Sequence, residues 1–364
     1  MITISSATFQ NRRENSPLLF AVQIIKKLIS TFFISQRSGY PIGIDRTFNL
    51  GPYFVTAIVY KNIRVKRKES EEHPLFVGPV FLHRNATFAE YNHFSSTIKA
   101  SFKRSSTLET FELRLGKDMI IGSDEEKALM LAIASNFPAS NYCLCTRHLK
   151  SGTKEYMQKK VGVPQKERIT IAKKIFGKDG LVDANSTIEF EKKSKQKIKD
   201  SENYPAFISY FRKRLHPNIE AYIKDPDRQT KVGTNWTNNN CESINHVFKL
   251  DADWKTNTMP NMINLIHEII LLHFKDFKRS LYGEGNFRLH GKFRKQQIKP
   301  SIWRSLSSEN RQEKFKIFLE NKKTKENISE VKSSWCNFKV RQIGVAKKPH
   351  QRKRSKATKT KKCY

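Results

Sequence analysis

Acidic residues are scarce in this chain: its 364 residues hold 34 Asp and Glu against 68 Lys and Arg, a formal charge of +34. So large an excess of one sign works against a compact solitary protein and favours a polyanionic partner, nucleic acid before any other. Cysteine is scarce too, with five residues (Cys143, Cys145, Cys241, Cys336, Cys363). That low, odd count argues against a disulfide-stapled secreted scaffold and suits a reducing compartment. Long apolar runs are missing. The short one from Pro17 to Val22 follows Arg12, Arg13 and Glu14 and is cut off by Gln23 and Lys26-Lys27. No small-residue cleavage pattern follows, and nothing has the length of a bilayer span or the pattern of an amphipathic anchor. Neither export nor a membrane partner is expected; the cytoplasm or nucleus is. No internal repeat is visible.

What is present divides by texture. The length suits one large core with an insertion, or two domains. Residues 1–40 read either as a helix over 18–33, with Phe20, Ile24, Ile25, Leu28 and Phe32 apolar, or as the remnant of a longer N-terminal region. From Tyr40 the pattern becomes strand-like. Pro41-Ile42-Gly43-Ile44-Asp45 is a short apolar strand ending in an acid, and residues 53–60 are a β-branched and aromatic return strand. Residues 61–72 read as a charged loop, and 74–83 as a third strand in which Pro79 marks an edge or a bulge. Residues 87–102 carry helical spacing through Phe88, Tyr91, Phe94 and Ile98. Met119-Ile120-Ile121 is a buried-type strand turned by Gly122-Ser123-Asp124, and Ser123 with Glu126 matches a capping box that would open a helix there. A strand over 142–145 follows, then a helix opened by Thr146-Arg147-His148.

Residues 149–235 are Lys- and Arg-rich and read as a mainly helical insertion, with a solvated linker over 189–202 and a short helix over 218–224 between Pro217 and Pro226. The run Asn238-Asn239-Asn240-Cys241-Glu242-Ser243-Ile244-Asn245 tips into a helix whose apolar stripe is Ile244, Val247 and Phe248, leaving Glu242 off it. A second helix spans 259–281. Residues 282–340 are basic and unassigned. Residues 341–364 carry ten basic and no acidic residues and read as a disordered tail. Its Arg352-Lys353-Arg354 run suits a nuclear import signal or a phosphate-binding arm.

Asp45 and Asp124 each end a buried strand, and Glu242 opens a helix. Taken alone, Glu242 is a solvated surface residue and Asp124 an acid that complements a helix dipole. Taken together, three carboxylates brought within a few ångströms are a hard-oxygen ligand set for paired divalent cations. Cys145 and His148 have a spacing that a metal can bridge, and Cys143 is a third candidate, but a closed zinc site needs four ligands and no fourth is evident. A supporting role is the preferred reading for the pair, and zinc is not expected.

Four pieces, in order, resemble the Mutator-like element (MULE) transposases of the DDE class. They are Ile44-Asp45-Arg46-Thr47-Phe48, residues 120–129 around Asp124, Cys145-Thr146-Arg147-His148, and Asn239-Asn240-Cys241-Glu242-Ser243-Ile244-Asn245. The resemblance covers roughly residues 41–275. It implies an α/β fold: an RNase H-like mixed sheet flanked by helices, interrupted by a mainly helical insertion. In that reading 41–148 and 236–281 form the core, 149–235 the insertion, and 1–40, 282–340 and 341–364 the flanks. It further implies a nuclear DNA transposase that cleaves and joins strands. Asp45, Asp124 and Glu242 would be the catalytic acids holding two Mg²⁺ or Mn²⁺ ions, with Cys145, His148, Asn239, Ser243 and Asn245 in support. Trp236 would either stack on an unpaired base or simply pack. Transposon ends and target DNA are the implied partners, and a homo-oligomer the implied form. The zinc finger that commonly precedes such a core is not visible, so a truncated copy, or a host-adopted DNA-binding protein without catalysis, is the alternative.

Overall fold

The computed structural model describes residues 40–47, 50–105, 119–223 and 236–320. The helix expected over 18–33 and the basic run Arg352-Lys353-Arg354 lie outside them. In chain order the strands are β1 (Ile42–Thr47), β2 (Phe54–Lys61), β3 (Val65–Arg67), β4 (Leu75–His83), β5 (Ile120–Ser123), β6 (Asn141–Leu144) and β7 (Phe287–Leu289). Among the described residues the main sheet is mixed, in the order β4-β2-β1-β5-β6. β2 runs antiparallel to β1 and β4, and β5 is parallel to β1 and β6. β2 is buried on both faces, which is why its Val55, Ala57, Ile58 and Val59 form a nearly continuous apolar run. β4 lies at the sheet edge. Ala57 pairs with Val80 and Val59 with Val77, so Gly78 and Pro79 face Ile58 as a bulge, and Pro79 sits where a missing N–H costs little.

Helices cover both faces. α1 (Phe88–Ser105) stacks Phe94 on Phe81 of β4 and packs beside α2 (Lys127–Asn136). The insertion follows as α3 (Thr146–Tyr156), α4 (Gln165–Phe176), α5 (Thr187–Lys199), α6 (Pro205–Tyr210) and α7 (His216–Tyr222). Its apolar residues, among them Leu149, Ile175, Phe190, Phe207, Phe211 and Leu215, form a core of their own. α8 (Asn239–Asp251) and α9 (Met259–Ser280) return to the sheet, where Phe274 and Phe277 close on Phe76.

The sequence reading needs five corrections. The helix after Asp124 starts at Lys127; Ser123 caps nothing, because its hydroxyl donates to the Asp124 carbonyl and meets Tyr142. The Ser-x-x-Glu signature acts instead at Ser186, which accepts from the Glu189 N–H. That cap starts α5 inside the stretch expected to be a solvated linker. Phe190, Ser194 and Lys197 recur there at helical spacing and are buried, and Lys197 faces Asp200 at 3.6 Å. The loop expected over 61–72 contains β3, paired with β7. Pro217 lies within α7, in its first turn, where a missing N–H is harmless, so α7 begins at His216 through a π-turn continuous with α6. Of the unassigned stretch, residues 287–320 fold as β7, α10 (Pro300–Ser305) and α11 (Ser308–Glu320) with a 3₁₀ turn between β7 and α10, and add Phe293, Trp303, Phe315 and Phe318 to the main core. Arg64, 1 % exposed, fastens this region. Its guanidinium donates to the carbonyls of Phe318 and Leu319 in the last turn of α11, a helix end short of partners.

Candidate active site

Two glycines set the geometry. In the parallel register Ile42 pairs with Ile121 and Gly43 with Gly122, so Ile-Gly-x-Asp occurs twice, side by side. The ladder ends at this glycine pair, two residues before each acid, and the Asp124 charge is near enough to raise the Asp45 carboxyl. Because side chains alternate, each Asp shares a face with the glycine two residues before it. A β-carbon on Gly43 would lie 2.3 Å from Cys241 Sγ, and one on Gly122 would lie 2.3 Å from the Trp236 ring. The missing side chains let residues 236–241 rest directly on the sheet, one turn from both acids.

The return from the insertion is pinned at the same place. The backbone N–H and hydroxyl of Thr146 both donate to the Trp236 carbonyl at 3.0 Å, and the Asn238 N–H donates to Cys145 Sγ at 3.3 Å. α8 then buries Cys241, Ile244, Asn245 and Phe248, the spacing of one helical face. Cys241 and Asn245 extend the stripe that the apolar residues alone suggested. Glu242 is left half-exposed at the helix start, above the sheet.

The three acids lie near one another and share neighbours. His148 Nδ1 lies 2.7 Å from Asp124 Oδ1, and its Nε2 lies 3.5 Å from Glu242 Oε1, so one imidazole stands between two of the carboxylates. Arg147 pairs with Glu242. Asn245 Nδ2 donates to Asp45 Oδ2 at 2.7 Å, and Asn238 Nδ2 to Asp124 Oδ1 at 3.3 Å. Burial, then the neighbouring Asp124 and less so Glu242, pushes the Asp45 carboxyl up to about 7. Contact with the Asp124 carboxylate, reinforced by Cys145, holds the His148 imidazole protonated up to about 10. The same anionic surroundings add to burial in raising the Cys241 thiol.

No protein-family model and no curated protein matches this chain. The site therefore rests on its own geometry. Of the residues singled out from sequence, Asp45, Asp124, Glu242, Cys145, His148 and Asn245 are brought together. Asn239 and Ser243 lie on the exposed face of α8, where the Ser243 hydroxyl donates to the Asn239 carbonyl. Trp236 packs its ring against Gly122. Cys143 ends up inside β6, whereas Cys145 has left the strand and caps α3, so the two do not share a strand face. Arg147, Asn238 and Cys241 were not singled out. The signal that would have found the docking surface is the repeated Ile-Gly-x-Asp.

The loop between β5 and α2 is held on three sides by successive acids. Asp124 meets Asn238 and His148. Glu125 accepts from Arg214 Nε at 2.8 Å and from Asn218, both in the insertion. Glu126 accepts from the Tyr91 hydroxyl at 2.8 Å and pairs with Arg46 at 3.3 Å.

Proposed function

We propose that the chain is the catalytic portion of a DDE-type DNA transposase with an RNase H-like core, acting on DNA in the nucleus by strand cleavage and strand transfer. The observation that carries this reading is the placement of Asp45 on β1 and Asp124 just past the end of the adjacent parallel β5, with Cys241, the residue before Glu242, seated against Gly43. The order of elements also supports it: three antiparallel strands, a helix, then two strands parallel to the first, with a helical insertion before the helix that bears the third acid.

The donor set fits hard divalent cations. Burial first, then Asp124 and less so Glu242, raise the Asp45 carboxyl, so the three acids lie within electrostatic reach of one another, and divalent cations would draw their oxygens closer. Asp45, Asp124 and Glu242 would hold two Mg²⁺ or Mn²⁺ ions, which supply activation of a water or 3′-hydroxyl and stabilisation of the leaving oxygen. Asn245 orients Asp45, and Asn238 and His148 orient Asp124. Arg147, beside Glu242 and half-exposed, is placed to meet a phosphate. The large positive excess holds the DNA backbone.

The test is metal-dependent nicking and joining of DNA by the wild-type chain and by Asp124→Asn, Asp45→Asn and Glu242→Gln. Loss of both reactions in each variant, with DNA binding kept, is expected. Activity that survives Asp124→Asn would overturn the assignment. Salt-sensitive DNA binding with no cleavage in the wild type would instead mark a transposase-derived binding protein.

A further inference from the structure

Asp124, Cys145 and His148 form a ligand set of a different kind from the three acids. Among the described residues, one oxygen, one sulfur and one ring nitrogen from them lie within 4.8 Å of one another. Atoms no further apart than that lie at most about 2.8 Å from a common centre, so ligand bonds of about 2.0–2.3 Å need shifts of less than about 1 Å. The chain builds the set from two rigid ends. Cys145 caps the start of α3 and His148 follows one turn later, on the same side, while Asp124 comes from the end of β5 directly opposite.

Two details point to a metal. Cys145 is 2 % exposed, yet its sulfur accepts the Asn238 backbone N–H, the kind of outer contact that steadies a thiolate ligand. His148 Nδ1 is itself shielded from solvent and lies 2.7 Å from Asp124 Oδ1, so nitrogen and oxygen already face one another on the side of the Cys145 sulfur. We propose that Cys145, His148 and Asp124 bind one thiophilic divalent ion of the zinc type, with a fourth coordination position left to water on the side of Glu242. Sulfur and imidazole donors select such an ion over Mg²⁺, which prefers oxygen throughout. The sequence offered Cys143 as a third ligand beside the Cys-x-x-His pair; the fold supplies Asp124 instead, from 21 residues upstream of Cys145. The site shares Asp124 with the proposed catalytic acids, but its existence does not rest on DNA cleavage.

Co²⁺ titration of the full chain tests it. One equivalent should give the near-ultraviolet thiolate-to-cobalt absorption and the visible bands of a four-coordinate ion, both removed by stoichiometric Zn²⁺. The thiolate band should vanish in Cys145→Ala and Cys145→Ser, weaken in His148→Ala, and persist in Asp45→Asn and in Cys336→Ser/Cys363→Ser. Circular dichroism confirms that each variant is folded. No thiolate band in the wild type, or one that survives loss of the Cys145 sulfur in a folded variant, overturns the proposal.

Discussion

Gly43 and Gly122 decide how near Glu242 can come to the two strand acids, because any β-carbon there meets Cys241 or Trp236 at 2.3 Å. Gly122→Ala is expected to destabilise the chain by about 1–3 kcal/mol through overpacking. Since the clash is with the Trp236 ring, adding Trp236→Ala should recover part of that loss. A coupling above about 0.5 kcal/mol in urea unfolding of the single and double variants checks it; simple additivity would deny the contact. Asn245 is the other decisive residue at this scale. Its amide donates to Asp45 Oδ2 at 2.7 Å and fixes the direction in which that carboxylate points. Asn245→Ala should lower Mn²⁺ affinity by about 10–100-fold, as loss of an orienting partner does, with little change in secondary structure. Calorimetric Mn²⁺ titration reads it.

At the scale of elements, the insertion is a unit with its own apolar centre, joined to the sheet through short polar contacts such as Glu125 with Arg214 and Asn218. Phe190, fully buried on α5, belongs to that centre and to no part of the main core. Phe190→Ala should cost the insertion about 3–5 kcal/mol. Hydrogen exchange should then show lost protection across α3 to α7 while β1, β2 and β5 keep theirs. Protection lost equally in the sheet would mean that the two cores unfold as one. α5 also explains a misreading. Its composition is that of a solvated linker, and only the periodic placement of Phe190, Ser194 and Lys197, behind the Ser186 cap, makes it a packed helix.

Over the whole molecule, charge and protonation set behaviour. His273 stacks on Phe76, and burial, with Arg67 nearby, takes it down to about 4. Burial and the nearby His73 take His290 to about 4 as well. The unfolded chain protonates these rings near 6.5, whereas the fold resists until about 4. Their stabilising contribution is therefore complete above 6.5 and lost as pH falls towards 4, about 1–2 kcal/mol from His273 and less from the more open His290. Asp45 acts in the opposite sense, since its raised carboxyl destabilises as pH climbs through the same window. The His contribution is accordingly read as a difference. Between pH 7 and 4.5, urea stability of His273→Asn should fall less than that of the wild type, and an equal fall would refute the assignment. For DNA binding, deletion of residues 341–364 removes ten basic residues and should flatten the dependence of log K on log salt. An unchanged slope would show that the tail makes no phosphate contacts.

The sequence by itself determined the local terms: the strands that carry Asp45 and lead into Asp124 (the first runs on past Asp45 to Thr47, because its pairing with β2 continues), the bulge at Pro79, the helical run after Glu242 and the overwhelming positive charge. These follow from periodicity, punctuation and composition, which are properties of neighbours in the chain. Only the tertiary structure decided which of those residues meet. Asp45 and Asp124 are 79 residues apart and are joined by a parallel register. Glu242, another 118 residues on, returns because Thr146 and Cys145 hold the segment at Trp236 and Asn238 while two glycines make room for it. Such contacts depend on how the sheet pairs and on which side chains are missing from its face, information that no short stretch of the chain contains.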